Sequence, residues 1–205
     1  MNTDKEQIIS VVFSFRNEDS VLQALINRVE NVFKKVEYDY ELIFVNDDSI
    51  DRSLEILEKN RKRNLQIKII NMSRRFGVSA CVIAGFEHSI GEAVIYMDSD
   101  LQDPPELILK LIKKWEEGND VVHTIRTKRK GENAIRMFLV KIAYKVIDSL
   151  SEIKILQNSG NFKLISRRAL DGVLKLKDHD PFLRGLSVWV GFRQSSIDYE
   201  REPRH

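Results

Sequence analysis

One cysteine, Cys81, stands in 205 residues. That excludes a disulfide framework and a cysteine-ligated zinc site, and it predicts a reducing, cytosolic setting. No apolar run approaches the ~20 residues that a membrane-spanning helix needs. The polar residues ahead of Ile8 predict no secretory leader. Charge of one sign is also scarce. Thirty-three Lys and Arg against 31 Asp and Glu leave a formal +2, which argues against bulk nucleic-acid binding and leaves room only for a local basic cluster. There is no G-x-S-x-G and no phosphate-loop lysine, so hydrolase and P-loop readings lack support. His88, His123, His179 and His205 have no zinc-like spacing. No repeat, low-complexity run or linker divides the chain, so a single domain over 1–205 is expected. Its 42% hydrophobic and 31% charged residues are ordinary for a globular protein.

What is present is alternation. Apolar, β-branched runs at Ile8–Phe15, Tyr40–Val45, Gln66–Asn71, Ala93–Met97 and Asp120–Ile125 read as strands. Between them, helical spacing predicts helices over Glu18–Val36, around Leu54–Leu57 with Ser49 or Asp51 as cap, over Gly77–His88, and from Pro104 to Glu117. Asp103 as N-cap, Pro104 at the first helical position and Glu106 three residues after the cap form a helix-start signal. Continuous apolar strands alternating with amphipathic helices predict an α/β fold, its mainly parallel sheet covered by helices on both faces. Later come a very apolar helix over Asn133–Leu150, short strands at Gly160–Ile165 and Phe192–Tyr199, a helix at Arg168–Leu176, and a turn at Asp180-Pro181.

The most informative stretch is Met97-Asp98-Ser99-Asp100-Leu101-Gln102-Asp103-Pro104-Pro105-Glu106. Two acids at the carboxyl end of an apolar strand are costly to place together without a cation between them. In open α/β sheets that end of the strand is where ligands bind. Asp98 and Asp100 are therefore candidate ligands of magnesium or manganese holding a nucleotide's phosphates, with Gln102 as a neutral oxygen donor. Asn46-Asp47-Asp48-Ser49 follows the second strand at the same sheet edge. Alone it reads as a capped turn; beside the acidic pair, Asp47 reads as an acceptor for a pyrimidine N–H. Phe15-Arg16-Asn17-Glu18 ends the first strand, with Asn17 as a possible cap, Glu18 complementing a helix dipole, and Arg16 where phosphate or ribose would lie. Ser73-Arg74-Arg75-Phe76-Gly77 precedes a helix and suits either an anion or a solvated charge pair. Residues 126–145 carry seven basic side chains and one acid. They read either as a positive loop and helix on an anionic membrane surface or as a core helix with a solvated basic face. Arg126, at a strand end, is assigned to a substrate phosphate.

These motifs together resemble glycosyltransferase family 2, and within it the polyprenyl-phosphate sugar transferases of the dolichol- and undecaprenyl-phosphate type. The resemblance runs from Ile8 to Arg204. It rests on the stretch from Met97 to Glu106, on Ser73–Gly77 with Ala84-Gly85, on Gly160-Asn161-Phe162-Lys163-Leu164-Ile165-Ser166-Arg167, and on Phe182-Leu183-Arg184-Gly185 with Trp189-Val190-Gly191-Phe192. It implies a GT-A, Rossmann-like fold with a nucleotide-sugar half at 1–125 and an acceptor half at 126–205. It also implies a UDP- or GDP-sugar donor, a polyprenyl phosphate acceptor, and inversion at the anomeric carbon at the cytoplasmic face of a membrane, with no nucleic-acid partner. On it, Phe15, Asn17, Glu18, Asp47, Arg74, Gly77 and Ser99 would bind the nucleotide sugar. Asp98, Asp100 and Gln102 would hold Mg2+ or Mn2+, and Arg126, Arg136, Arg184 and Arg204 would face phosphates. Relatives of this kind continue past the position of His205 into an acceptor loop and often transmembrane helices.

The chain departs from the family pattern at Asn46, at Arg75, at Asn161 where an Asp is usual, and at Asp48 where a Gly is usual, which predicts a reshaped nucleotide turn. An amide at 161 cannot act as a base. A lipid phosphate needs none, because its oxygen is already anionic, whereas a sugar hydroxyl would need one; Asp178 and Asp180 are the nearby candidates. The alternatives are a family 2 enzyme acting on a saccharide hydroxyl and a catalytically weakened nucleotide-binding domain.

Overall fold

The computed structural model describes residues 7–127, 159–176 and 182–202. Among these residues seven strands form one sheet: β1 (Ile8–Phe15), β2 (Asp39–Asn46), β3 (Ile67–Asn71), β4 (Ala93–Asp98), β5 (Val121–Arg126), β6 (Ser159–Ser166) and β7 (Gln194–Tyr199). Their order is β3-β2-β1-β4-β6-β5-β7. Only β6 runs against its neighbours, β4 and β5; the other pairs are parallel. The α-helices among the described residues are α1 (Leu22–Phe33), α2 (Ser53–Arg63), α3 (Val78–Glu87), α4 (Ile108–Glu116), α5 (Arg167–Lys175) and α6 (Leu183–Trp189).

Alternation along each strand divides the core in two. Val11, Phe13, Leu42, Phe44, Ile95 and Leu164 face α1, α2 and α4. Val12, Ile43, Val94, Tyr96 and Ile165 face α3 and α5. On the first face the Phe13 and Phe44 rings stack at 4.6 Å, a pair worth about 0.5–1.5 kcal/mol beyond its buried area. On the second, α3 lies so close to β1 that a Cβ on Gly85 would stand 2.3 Å from Val12 Cγ1, so the Ala-Gly step in α3 is a packing requirement.

The α/β expectation holds, with helices on both faces and a mainly parallel sheet. The first helix begins later than its apolar spacing suggests, because Glu18–Ser20 form a turn in which the Glu18 carbonyl accepts from Val21 and Leu22. Helix α6 was not anticipated; its seven residues are too few to show a period. Asp103 is not a helix cap. The first turn after the acidic motif is 3-10, Pro105–Leu107, with Pro104 at its N-cap, and the Asp103 carboxylate is wholly buried elsewhere. Asn17 does not cap α1 either: its Oδ1 accepts from Ile50 N. The apolar helix expected over Asn133–Leu150 and the turn at Asp180-Pro181 lie outside the described residues. Among the described residues no helix is long and apolar enough to cross a membrane.

Strand order reverses between β1 and β4. The chain adds β2 and β3 on one side of β1 and then returns to lay β4 on the other. Loops leaving the carboxyl ends of two such strands part from each other and open a crevice. The site is built there.

Candidate active site

The crevice is an open cleft of about 360 Å3, lined by Ser14, Phe15, Arg16, Glu18, Asp47, Val78, Cys81, Asp98, Ser99, Asp100 and Asn161. Three loops make it, and the first two are stitched together. Asn17 N donates to Ser49 Oγ, Glu18 N to Ser53 Oγ, Asp19 N to Asp51 Oδ2, and Asp47 N to the Phe15 carbonyl. Asn17, Asp48 and Leu101 hold positive φ of 56°, 59° and 55°. Each is a non-glycine residue in the left-handed region, and all three sit in the loops that carry the cleft. At Asp48 the chain thus takes the left-handed conformation that a glycine adopts at less cost.

Asp98 closes β4. Tyr96 Oη donates to its Oδ1 at 2.9 Å and Asn161 Nδ2 approaches the same oxygen at 3.4 Å. Burial pushes the Asp98 carboxyl above its usual range; the Asp103 and Asp100 charges add to the rise, and the two hydrogen bonds oppose it. Asp100 accepts from Gln102 N at 3.1 Å and has Arg201 Nη2 at 3.6 Å. Arg16 Nε, also in this cleft, is buried without a hydrogen-bond partner. A buried guanidinium N–H left unpaired is rare enough to point to an absent acceptor.

Asp47 is turned toward helix α3. Its Oδ1 accepts from Phe76 N at 2.6 Å and its Oδ2 from Gly77 N at 3.0 Å. The free amides that would have made this helix start an anion site therefore already have a carboxylate. Gly77, at φ 91°, allows the bend. Beneath it the Cys81 thiol is pushed up to about 12, first by burial and then by Asp47, so it stays a neutral thiol.

Asp98, Asp100, Ser99, Phe15, Glu18 and Asp47 are thus brought together. Two of them are partly structural: Ser99 Oγ donates to the Ser14 carbonyl, and the Phe15 ring belongs to the core beside Phe44. Asn17, Arg74, Gly77, Gln102, Arg126 and Arg184 do not line the cleft. The Arg74 guanidinium lies 4.0 Å over the Phe76 ring. Gln102 contributes its backbone, accepting from Glu202 N. Arg184 Nε donates to Asn161 Oδ1 at 3.1 Å, at the rim. Arg136 and Arg204 lie outside the described residues. Among the described residues no three His, Cys, Asp or Glu side chains are gathered to hold a metal.

A buried cluster behind the acidic pair escaped sequence reasoning. Asp103 Oδ1 accepts from Tyr199 Oη at 2.5 Å and lies 3.3 Å from Arg201 Nε. Its Oδ2 lies 3.6 Å from Arg126 Nη2, and Arg126 Nε donates to Tyr199 Oη at 3.0 Å. Burial and the bond to Asp103 push the Tyr199 phenol up to about 12. Arg126 is therefore aimed by Asp103 and Tyr199. The segment after β7 is pinned across the acidic loop by Arg28, which reaches both Glu106 and Glu202. The motif itself was the only available signal for Asp103, and helix capping absorbed it.

The sequence profile of glycosyl transferase family 2 matches residues 10–174. The uncharacterized glycosyltransferase YkcC of Bacillus subtilis is 41% identical over 95% of this chain and 60% of its own length. The bactoprenol glucosyl transferase of Shigella phage SfX is 31% identical over 96% of this chain and 64% of its own. The chain thus spans about three-fifths of the length of these curated relatives. Among solved structures, a mannosyltransferase from Pyrobaculum calidifontis in complex with GDP-Man and Mn2+ aligns with a TM-score of 0.61 at 14% identity, over 93% of this chain and 54% of its own. That likeness concerns the fold, which is GT-A.

Proposed function

The chain belongs to glycosyltransferase family 2, and from that premise we propose that it transfers a sugar from a nucleoside-diphosphate sugar to a polyprenyl phosphate, with inversion at the anomeric carbon. The observation that carries this reading is the cleft at the strand-order reversal. It holds a carboxylate pair, Asp98 and Asp100, and a buried, unpartnered Arg16 Nε. A diphosphate and a divalent cation together would complete both.

The donor set fits such a cation. Burial and two neighbouring acids work against the charge on Asp98, and a dication beside it and Asp100 would relieve that repulsion. Magnesium and manganese at nucleotide sites take one or two carboxylates and fill their shell with phosphate oxygens and water, so a third acidic ligand is not required. When bound, the ion would withdraw charge from the departing diphosphate.

The chain's own residues do the rest. Arg16 donates to the diphosphate and Asp47 holds the α3 loop against the nucleotide. Arg126, aimed by Tyr199 and Asp103, stabilises phosphate charge at the far end of the acidic motif. Asn161, fixed between Asp98 and Arg184, offers the acceptor an amide and no base. A phosphate acceptor attacks C1 without losing a proton, and one displacement inverts the centre. The polyprenyl choice is supported by the bactoprenol glucosyl transferase relative and by Asn161. A lipid acceptor places the reaction at a membrane surface, on the cytoplasmic face where nucleotide sugars are made.

The test is a thermal-shift comparison of UDP-glucose and GDP-mannose with and without manganese. At a hundredfold excess over Kd a ligand stabilises the fold by about 2.7 kcal/mol, a rise in Tm of roughly 5–10 °C for a domain of this size. The shift is expected with one donor and manganese together, and not in Asp98→Ala/Asp100→Ala. An equal shift in the double variant would remove the carboxylate pair from the account.

A further inference from the structure

A buried lysine lies behind the wall of the cleft, and the charge of Arg184, an exposed residue at the rim, acts on it. Lys163 lies on β6 two residues from Asn161 and on the same face. It is 3% exposed, and its Nζ donates to Ser187 Oγ at 3.0 Å. Ser187 belongs to α6, whose Arg184 donates to Asn161 at the cleft rim. Lys163 pairs across the sheet with Tyr96 of β4 and His123 of β5, and shares a small pocket with Phe86, Asn161, Leu183 and Ser187. None is a carboxylate. Tyr96 spends its hydroxyl on Asp98, and burial and the Lys163 charge push His123 down to about 4, leaving it neutral.

The buried amine is costly by itself, since a charge without a carboxylate partner loses hydration there without recovering it. Burial, with Arg184 adding, pushes the Lys163 amine down to about 7. Packing alone would be better served by methionine at this position. What the arrangement suits is an anion arriving at the mouth, where Arg184 already stands.

We infer that Lys163 is a positioning residue for a phosphate-bearing ligand: it holds α6, and with it Arg184, against Asn161, and it completes a positive pair that an anion at the rim balances. The identity of that anion rests on the function proposed above, as either the donor's diphosphate or the acceptor's monophosphate. In the ligand-free protein near neutral pH the amine is partly uncharged. A phosphate at the rim favours the ammonium, so binding draws a proton from solvent onto Nζ.

Titration calorimetry at pH 7.5 in two buffers of different ionisation enthalpy reads this proton directly. The probes are UDP and GDP, each with manganese, and, separately, farnesyl phosphate, against the wild type, Lys163→Met and Lys163→Arg. The wild type should take up roughly half a proton more than Lys163→Met with one probe, given an amine near 7. Lys163→Met should bind that probe about tenfold more weakly while melting no lower, because a buried unpaired charge is gone. Lys163→Arg should recover affinity without proton uptake, since a guanidinium stays charged. A response with either nucleotide assigns the anion to the donor, and a response with farnesyl phosphate assigns it to the acceptor. Equal affinity and equal proton counts in wild type and Lys163→Met would overturn the inference while leaving the proposed function standing. Binding of none of these probes to the wild type would overturn both.

Discussion

Replacing Tyr199 by phenylalanine removes one oxygen from a place where water cannot substitute. The residue is 6% exposed and its partner Asp103 is fully buried. The hydroxyl donates to Asp103 Oδ1 at 2.5 Å and accepts from Arg126 Nε at 3.0 Å. Asp103 would keep only Arg201 at 3.3 Å and Arg126 at 3.6 Å, both beyond good hydrogen-bond distance. Each bond involves a charged partner, and such bonds contribute about 1.5–3 kcal/mol. With partial relaxation, Tyr199→Phe should lose about 3 kcal/mol, or roughly 6–12 °C in Tm. Asp103→Asn should lose about 1.5–3 kcal/mol, because it removes the buried charge that Tyr199 and two partly exposed arginines face. Urea unfolding followed by circular dichroism, run as a double-mutant cycle, separates the pair from its surroundings. The double variant should be less damaged than the sum of the singles by at least 1 kcal/mol or so. A Tyr199→Phe protein within about 0.5 kcal/mol of wild type, or strict additivity, would refute the claim that this cluster is a coupled unit aiming Arg126.

Other outcomes follow from the same geometry. His123 is held neutral, its value pushed down by burial to about 4, so the unfolded chain takes its proton first as pH falls. The stability it confers is complete above about pH 6.5 and lost toward pH 4, a change of roughly 3 kcal/mol; pH-dependent urea midpoints should show that slope in wild type and a weaker one in His123→Gln. Gly85→Ala would press a methyl against Val12 Cγ1 at 2.3 Å and should cost about 1–3 kcal/mol, read as a lower urea midpoint at unchanged slope. Ser166 caps α5 and donates to Asp120 at 2.8 Å, so Ser166→Ala should lose about 1–2 kcal/mol in the same assay.

Much of this architecture is legible in the chain. Strand ends from Ile8 to Arg126 fall within a residue or two of the apolar runs, because strands buried on both faces leave a continuous signal. The acidic pair and the β1 and β2 loops converge as their positions at strand ends require. What was not legible depends on distant residues meeting. Asp103 looks like a cap by local spacing, and only the arrival of Tyr199 and Arg201 from the far edge of the sheet gives it another use. Asp47 reads as a free acceptor until α3 presents its first amides to it. Lys163 looks like one more charge on a strand until α6, too short to show a period, closes over it.

The central claim is that the cleft beside Asp98 and Asp100 moves a sugar onto a lipid phosphate. The most direct measurement incubates the protein with manganese, an isotopically labelled UDP- or GDP-sugar and undecaprenyl phosphate, and partitions the products between water and organic solvent. The account predicts an organic-soluble, acid-labile sugar phosphate with wild type and none with Asp98→Ala/Asp100→Ala. Label that stays in water, or that moves instead to a saccharide hydroxyl, would contradict it.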